Sequence, residues 1–215
     1  MITIGIPVYQ DVDLLDVTGP HEIFKWMGDD VTVELIADAK NKGSITTRDK
    51  FTFQATHTFE TASKLDVLWV PGGDPCALKR EMKDGSPYIA FLRKQSGARY
   101  ICSVCEGAIL LAASGLLDSH LVTTHSAFIP CLKKFNVKVA EGFPRFVLDG
   151  NRLTGGGISS GLDEAFKLVE LLAGYEAAQA VQRTTQYYPC PPVASTITPA
   201  TDCLLDTIKC PDEAA

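Results

Sequence analysis

The chain has 215 residues, 46% of them hydrophobic and 21% charged, with a mean hydropathy of +0.07. That is the make-up of one packed α/β domain and excludes disordered, collagen-like and membrane-spanning classes. Twenty Lys and Arg against 26 Asp and Glu give a formal charge of -6. With no basic cluster, a nucleic-acid surface is not expected.

The first residues, Met1 to Pro7, lack the basic start of a signal peptide, and the longest apolar stretch, Ala108 to Leu117, is too short to span a bilayer. A cytoplasmic location is expected, with no membrane partner. Seven cysteines, at 76, 102, 105, 131, 190, 203 and 210, form an odd and scattered set. Free thiols in a reducing compartment are therefore expected in place of a disulfide framework.

Strand-like and helix-like patterns alternate along the chain. Ile2 to Tyr9 reads as a strand, Thr18-Gly19-Pro20 opens a helix through Met27, and Val31 to Ile36 completes a βαβ unit. Ser44 to Thr47 and Phe51 to His57 read as a small antiparallel excursion. Leu65 to Val70 is a nearly continuous apolar run ending in Pro71-Gly72-Gly73, which fits a strand buried on both faces. Helices follow over Cys76 to Met82 and Tyr88 to Gln95, then a strand over Arg99 to Val104 and a helix over Glu106 to Ala113 that is apolar all round. Leu121 to Thr124 is a further strand, and Phe146 to Leu148 with Arg152 to Thr154 form a hairpin at Asp149-Gly150-Asn151. Gly155-Gly156-Gly157 leads into a long helix ending near Gly174, and a second helix runs from Tyr175 to about Gln186. The whole reads as a single doubly wound α/β domain over 1–188, flavodoxin-like, with a mostly parallel sheet and helices on both faces. A Pro-rich tail over 189–215 packs on or beside it.

Ser103-Val104-Cys105-Glu106-Gly107 sets a thiol between a buried strand and a buried helix, with small residues two positions to either side. Such flanks permit the sharp turn of a nucleophile elbow, and the helix N-terminus behind it favours the thiolate. Cys105 is thus a candidate nucleophile. Cys102-x-x-Cys105 also has the spacing of a redox dithiol, but strand alternation points Cys102 to the opposite face. No Cys or His spacing suggests a metal site. Asp16 should lie at the same carboxyl edge, as proton carrier or helix N-cap. Gly72 and Gly73 can present backbone N–H groups which, with that of Glu106, would form an anion-binding pocket. Gly157 and Ile158 head the following helix, and His125 reaches the same edge. The side chain of Glu106 is expected to turn away from the sulfur and leave the thiol pKa below the free value. An inward carboxylate would raise that pKa and favour a sensing or scaffold role.

Four motifs resemble the ThiJ/PfpI superfamily, related to class I glutamine amidotransferase domains. They are Leu15-Asp16-Val17-Thr18-Gly19-Pro20, Val70-Pro71-Gly72-Gly73, Ser103 to Gly107 with Ala112 to Leu117, and Leu153 to Asp163. Thr123-Thr124-His125 and the Gln186-to-Pro192 segment strengthen a resemblance to isocyanide (isonitrile) hydratases. The chain departs from that pattern at Glu106, where a small hydroxyl residue commonly follows the cysteine, and at Ser126, where an aromatic is common. The resemblance implies a cofactor-free homodimeric lyase that turns a small-molecule isocyanide into an N-substituted formamide. Cys105 would be its nucleophile, Asp16 its general acid/base, and Gly72, Gly73, Glu106, Gly157, Ile158 and His125 its binding residues. The alternative is a stress or redox-sensing protein, or a glyoxalase- or deglycase-type enzyme, acting through the same thiol.

Overall fold

In the computed structural model, which describes residues 1–211, five parallel strands follow one another in the flavodoxin order. They are β1 (Ile2–Pro7), β2 (Val31–Ala37), β6 (Val67–Val70), β7 (Tyr100–Ser103) and β11 (Arg152–Gly155). The full sheet runs β10-β11-β7-β6-β1-β2-β5, with β10 (Phe146–Asp149) antiparallel to β11 and β5 (His57–Thr58) parallel to β2. Its switch point lies between β1 and β6, where a crevice opens at the carboxyl ends of the strands.

On one face pack α1 (Leu14–Lys25), α6 (Ser160–Ala173) and α7 (Tyr175–Thr185). The other carries α2 (Pro75–Glu81), α3 (Pro87–Lys94), α4 (Gly107–Ala113), α5 (Ile129–Leu132) and the short α8 (Leu204–Thr207). Trp69, fully buried on β6, packs edge-on against Phe24 of α1 and is a core residue. The helix α4 is buried over Gly107 to Ala112, as its uninterrupted apolar sequence requires.

The structure departs from the sequence reading at several elements. Helix α1 starts at Leu14, not Thr18, and holds Pro20 inside it. A proline there removes the N–H that would bond to the carbonyl of Asp16. That freed carbonyl accepts the indole N–H of Trp69 at 3.2 Å, so the loss is repaired by the core. The excursion is a two-strand pair, β3 (Ile45–Thr46) with β4 (Thr52–Phe53), while His57 belongs to the main sheet. Strand β8 (Leu121–Val122) pairs outside the main sheet with β9 (Lys138–Val139), a partner the sequence pattern does not reveal.

The expectation of free thiols fails at four of the seven cysteines. Cys76 is bonded to Cys210, and Cys131 to Cys203. The partners stand 134 and 72 residues apart, so chain spacing carries no sign of them. Only the return of the C-terminal segment across α5 and α2 brings them together. Cys102, Cys105 and Cys190 remain free. The argument from cysteine usage to a reducing compartment falls with this finding. Among the described residues, no helix is long and apolar enough to cross a membrane. The last four residues of the 189–215 tail lie outside the described residues.

Candidate active site

Three segments meet at the crevice because three neighbouring strands end there. The segment after β1 delivers Asp13 and, in the first turn of α1, Asp16; the loop after β6 delivers Gly72, and the turn after β7 delivers Cys105 and Glu106. The first two loops are stitched together: Asp13 N–H donates to the Gly72 carbonyl at 3.0 Å and Asp74 N–H to the Asp11 carbonyl at 2.9 Å.

The turn at Cys105 is a left-handed elbow, with φ of 57°. Its N–H donates to the Gly156 carbonyl at 2.8 Å, and its carbonyl accepts the Thr124 hydroxyl at 2.7 Å. These bonds over-determine a backbone conformation that a non-glycine residue rarely adopts, so the strained turn persists. Ile158, also at positive φ (33°), directs its N–H at the sulfur.

Around that sulfur the structure gathers acids. One donor atom from each of Asp13, Asp16, Cys105 and Glu106 lies within 4.8 Å of all the others, and all four residues are buried. Asp16, expected to be near the thiol, is there and is not an N-cap: it lies inside the first turn of α1. Its Oδ2 accepts the Gly72 N–H at 2.9 Å, while Oδ1 is buried with no hydrogen-bond partner. Gly72 must be glycine, because a Cβ would collide with the Glu106 carboxylate and lie 2.8 Å from the Cys105 Cβ. The Gly72 N–H therefore holds an acid of the protein, and the expected anion pocket for a ligand is not formed by it. Gly73 packs against Tyr9 and the Asp11 carbonyl, on the far side of the loop.

Glu106 turns inward, against the expectation. Its carboxylate is coupled to the Cys105 thiol and to its own N–H, and Oε2 is buried with no hydrogen-bond partner. The α4 dipole was expected to hold the side chain outward, but the close-packed Gly72 loop and the buried elbow leave it facing the sulfur. Burial raises its pKa to about 7. Burial, and then Glu106 and Asp13, also push Asp16 well above the carboxylate range. The Cys105 thiol moves the same way, first through burial and then through Asp16 and Glu106, although the Ile158 N–H opposes the shift. The site at neutral pH is a thiol among partly protonated acids, not a preformed thiolate.

Sequence reasoning missed Asp13 and Arg48. Arg48, on the turn between β3 and β4, pairs with Asp13 at 3.2 Å and sets one positive charge at the edge of the acid cluster. The Asp11-x-Asp13-x-x-Asp16 spacing was the available signal for the first; nothing local marks the second. The four close donors are also an arrangement one ion could bridge, which linear spacing did not suggest because they come from separate loops.

Beside the elbow lies a cavity of about 310 Å³. Gly157, Ile158 and His125 line it, together with Phe143, Pro144 and Ile197. Gly157 gives His125 its place, since a Cβ there would strike the imidazole ring. The His125 Nδ1 accepts the Ala127 N–H at 3.2 Å, and burial lowers its pKa, so the ring is neutral at neutral pH. Ile158 also borders a smaller cavity of about 210 Å³ with Asp13, Leu15 and Asp49. It is the partition between the two, with the sulfur beneath it.

Residues 3–171 match the DJ-1/PfpI family. The chain is 37% identical over 198 residues to an isonitrile hydratase of Pseudomonas putida, covering 90% of this chain and 82% of that one. A ThiJ/PfpI family protein from Pseudomonas syringae superposes with a TM-score of 0.82 at 31% identity, over 89% of this chain and 77% of the other. DJ-1beta of Drosophila melanogaster shares the fold, with a TM-score of 0.77 at 19% identity over 87% of this chain and 99% of that one. With its cysteine elbow at the switch-point crevice of a flavodoxin-like sheet, the chain belongs to the DJ-1/PfpI family.

Proposed function

We propose that the protein hydrates an isocyanide to an N-substituted formamide, with Cys105 as nucleophile and Asp16 as general acid/base. The observation that supports this most is the thiol set against two carboxyl groups, Asp16 and Glu106, that burial pushes toward their protonated forms. An isocyanide carbon must take a sulfur and a proton in one addition, and a bare thiolate supplies only the first.

In the proposed reaction a bond forms between the Cys105 sulfur and the terminal carbon, and that carbon gains a proton from Asp16. The thiol proton passes to a neighbouring carboxylate, so the product is a thioimidate with no net change in charge. Water, deprotonated by Asp16, then adds to the same carbon and the nitrogen gains a proton. The carbon–sulfur bond breaks, the formamide leaves, and Cys105 regains its proton. Glu106 serves as the second proton carrier, a role the outward orientation would have denied it. The cavity lined by Ile158 and His125 receives the organic substituent. Kinship with the Pseudomonas putida isonitrile hydratase supports the substrate class. A homodimer and the absence of any added cofactor are part of this reading.

The test is incubation with an aryl isocyanide while formamide formation is followed; no turnover in a folded preparation sinks the proposal. A second reading, a sensor acting through Cys105 without turnover, is favoured by the inward Glu106 and the raised thiol pKa. Stoichiometric modification of Cys105 without product release would support it.

A further inference from the structure

The segment after α7 changes helix layer. It leaves the α6/α7 side at Tyr187, whose hydroxyl donates to Asp163 at 3.0 Å and whose ring stacks on Phe166. It arrives on the other side at Cys203, bonded to Cys131 of α5, and at Cys210, bonded to Cys76 of α2. Between these anchors it crosses the carboxyl edge of the sheet, where Ile197 lines the cavity beside the elbow.

Hydrogen bonding does not hold it there. Among the described residues, no hydrogen bond involves residues 189–200, and their composition, rich in Pro, Thr and Ser, forms no core of its own. Ordering such a stretch costs about 1–2 kcal/mol per residue in backbone entropy. The far anchor therefore decides whether Ile197 stays in place. That anchor includes the two disulfides, the packing of α8 against α2 and α5 with Leu205 on the core, a Lys134–Asp206 ion pair and a 3.4 Å bond from Lys79 to the Ile208 carbonyl. The exposed ion pair contributes little. The cross-links carry the restraint, by limiting how far the chain can stray.

We propose that residues 189–211 are a disulfide-pinned strap that sets Ile197 as the outer wall of the cavity next to Cys105, and that reduction of the two disulfides opens this wall. Each reduction takes two electrons and two protons from a dithiol reductant, which is itself oxidised to a disulfide. With the strap closed, Phe143, Pro144, Ile158 and Ile197 present an apolar wall. Arg145 is occupied, donating to Asp163 at 2.7 Å and to Ser159 at 3.1 Å. His125 is neutral, so the cavity selects an uncharged alkyl or aryl group. That the group belongs to an isocyanide rests on the proposed function; the strap itself does not.

The test follows alkylation of Cys105 by peptide mass in the intact chain, with iodoacetamide as a small reagent and N-phenylmaleimide as a bulky one. Three proteins are compared: the oxidised wild type, a Cys203→Ser/Cys210→Ser variant, and Ile197→Gly. Ile197 is 55% exposed, so its removal leaves folding intact. In both variants the bulky reagent should react roughly tenfold faster, the effect of an opening eased by about 1.4 kcal/mol, while the small one changes little. KM for cyclohexyl isocyanide should rise with kcat nearly constant. If the ratio of the two alkylation rates is unchanged in Ile197→Gly, the strap proposal fails even where hydration is observed. If the ratio shifts but no isocyanide is hydrated, the strap stands and the hydratase reading falls.

Discussion

Two buried thiols lie three residues apart, each beside a carboxyl group whose pKa burial raises, and only one stands at a turn that adjoins a cavity. Cys105 faces Asp16 and Glu106 at the strained elbow. Cys102 lies within β7 and faces α6, near Glu164. Glu164 is fully buried, with no hydrogen-bond partner for either side-chain oxygen. Gly155 makes room for it, since a Cβ there would overlap the carboxyl oxygen. Both thiols are pushed well above their ordinary pKa, chiefly by burial. The difference is in the backbone: at Cys105 the chain leaves the sheet, the Ile158 and Gly72 N–H groups converge, and a cavity adjoins; at Cys102 the ladder continues on both sides. Proximity of a thiol to an acid is common to both; the elbow and the adjoining cavity distinguish Cys105.

The largest expected effect separates the two thiols. Cys105→Ala should reduce formamide formation to background, and Cys102→Ala should keep most of it; equal losses would mean the two sulfurs act as a redox pair. Next come the acids. Asp16→Asn retains the Gly72 hydrogen bond but cannot exchange a proton, so kcat should fall by at least ~100-fold, whereas Glu164→Gln should leave kcat near the wild-type value. A severe loss in the second variant would extend the active centre through the sheet.

A smaller effect reads the inward carboxylate. Glu106→Gln removes a negative neighbour and the acceptor for the thiol proton, so the pH profile of Cys105 alkylation should move down by about one pH unit or more. An unmoved profile would show that the carboxylate does not act on the sulfur. The smallest effect is on stability. The folded pKa of Glu164 is raised well above its ordinary value, so over the range between its unfolded and folded pKa the native state holds the extra proton. Stability then falls as pH rises through that range. Urea unfolding from pH 5 to pH 9 should show the wild type losing stability relative to Glu164→Gln; parallel curves would mean that Glu164 finds a partner when ionised.

Much of the fold was legible because it rests on local pattern. The apolar run before Pro71-Gly72-Gly73, the small residues flanking Cys105 and the turn residues at Asp149-Gly150-Asn151 each report a backbone need through nearby side chains. Glu164 left a fainter trace: an acid at helical spacing between the buried Gly161 and Leu168. His57 and the β8–β9 pair were misread because strands of two residues carry too short a period to assign a partner.

By itself, the sequence determined the order of the five parallel strands and of the longer helices, the doubly wound class, the cysteine elbow and the presence of Asp16 at its edge. Periodicity, turn chemistry and steric need are all written within a few residues. Only the tertiary structure decided that Glu106 faces the sulfur, that Arg48 and Asp13 close the acid cluster, and that Cys76 and Cys131 meet Cys210 and Cys203 across the molecule. Those outcomes depend on which distant loops share a crevice and how much water they exclude, and both are properties of packing.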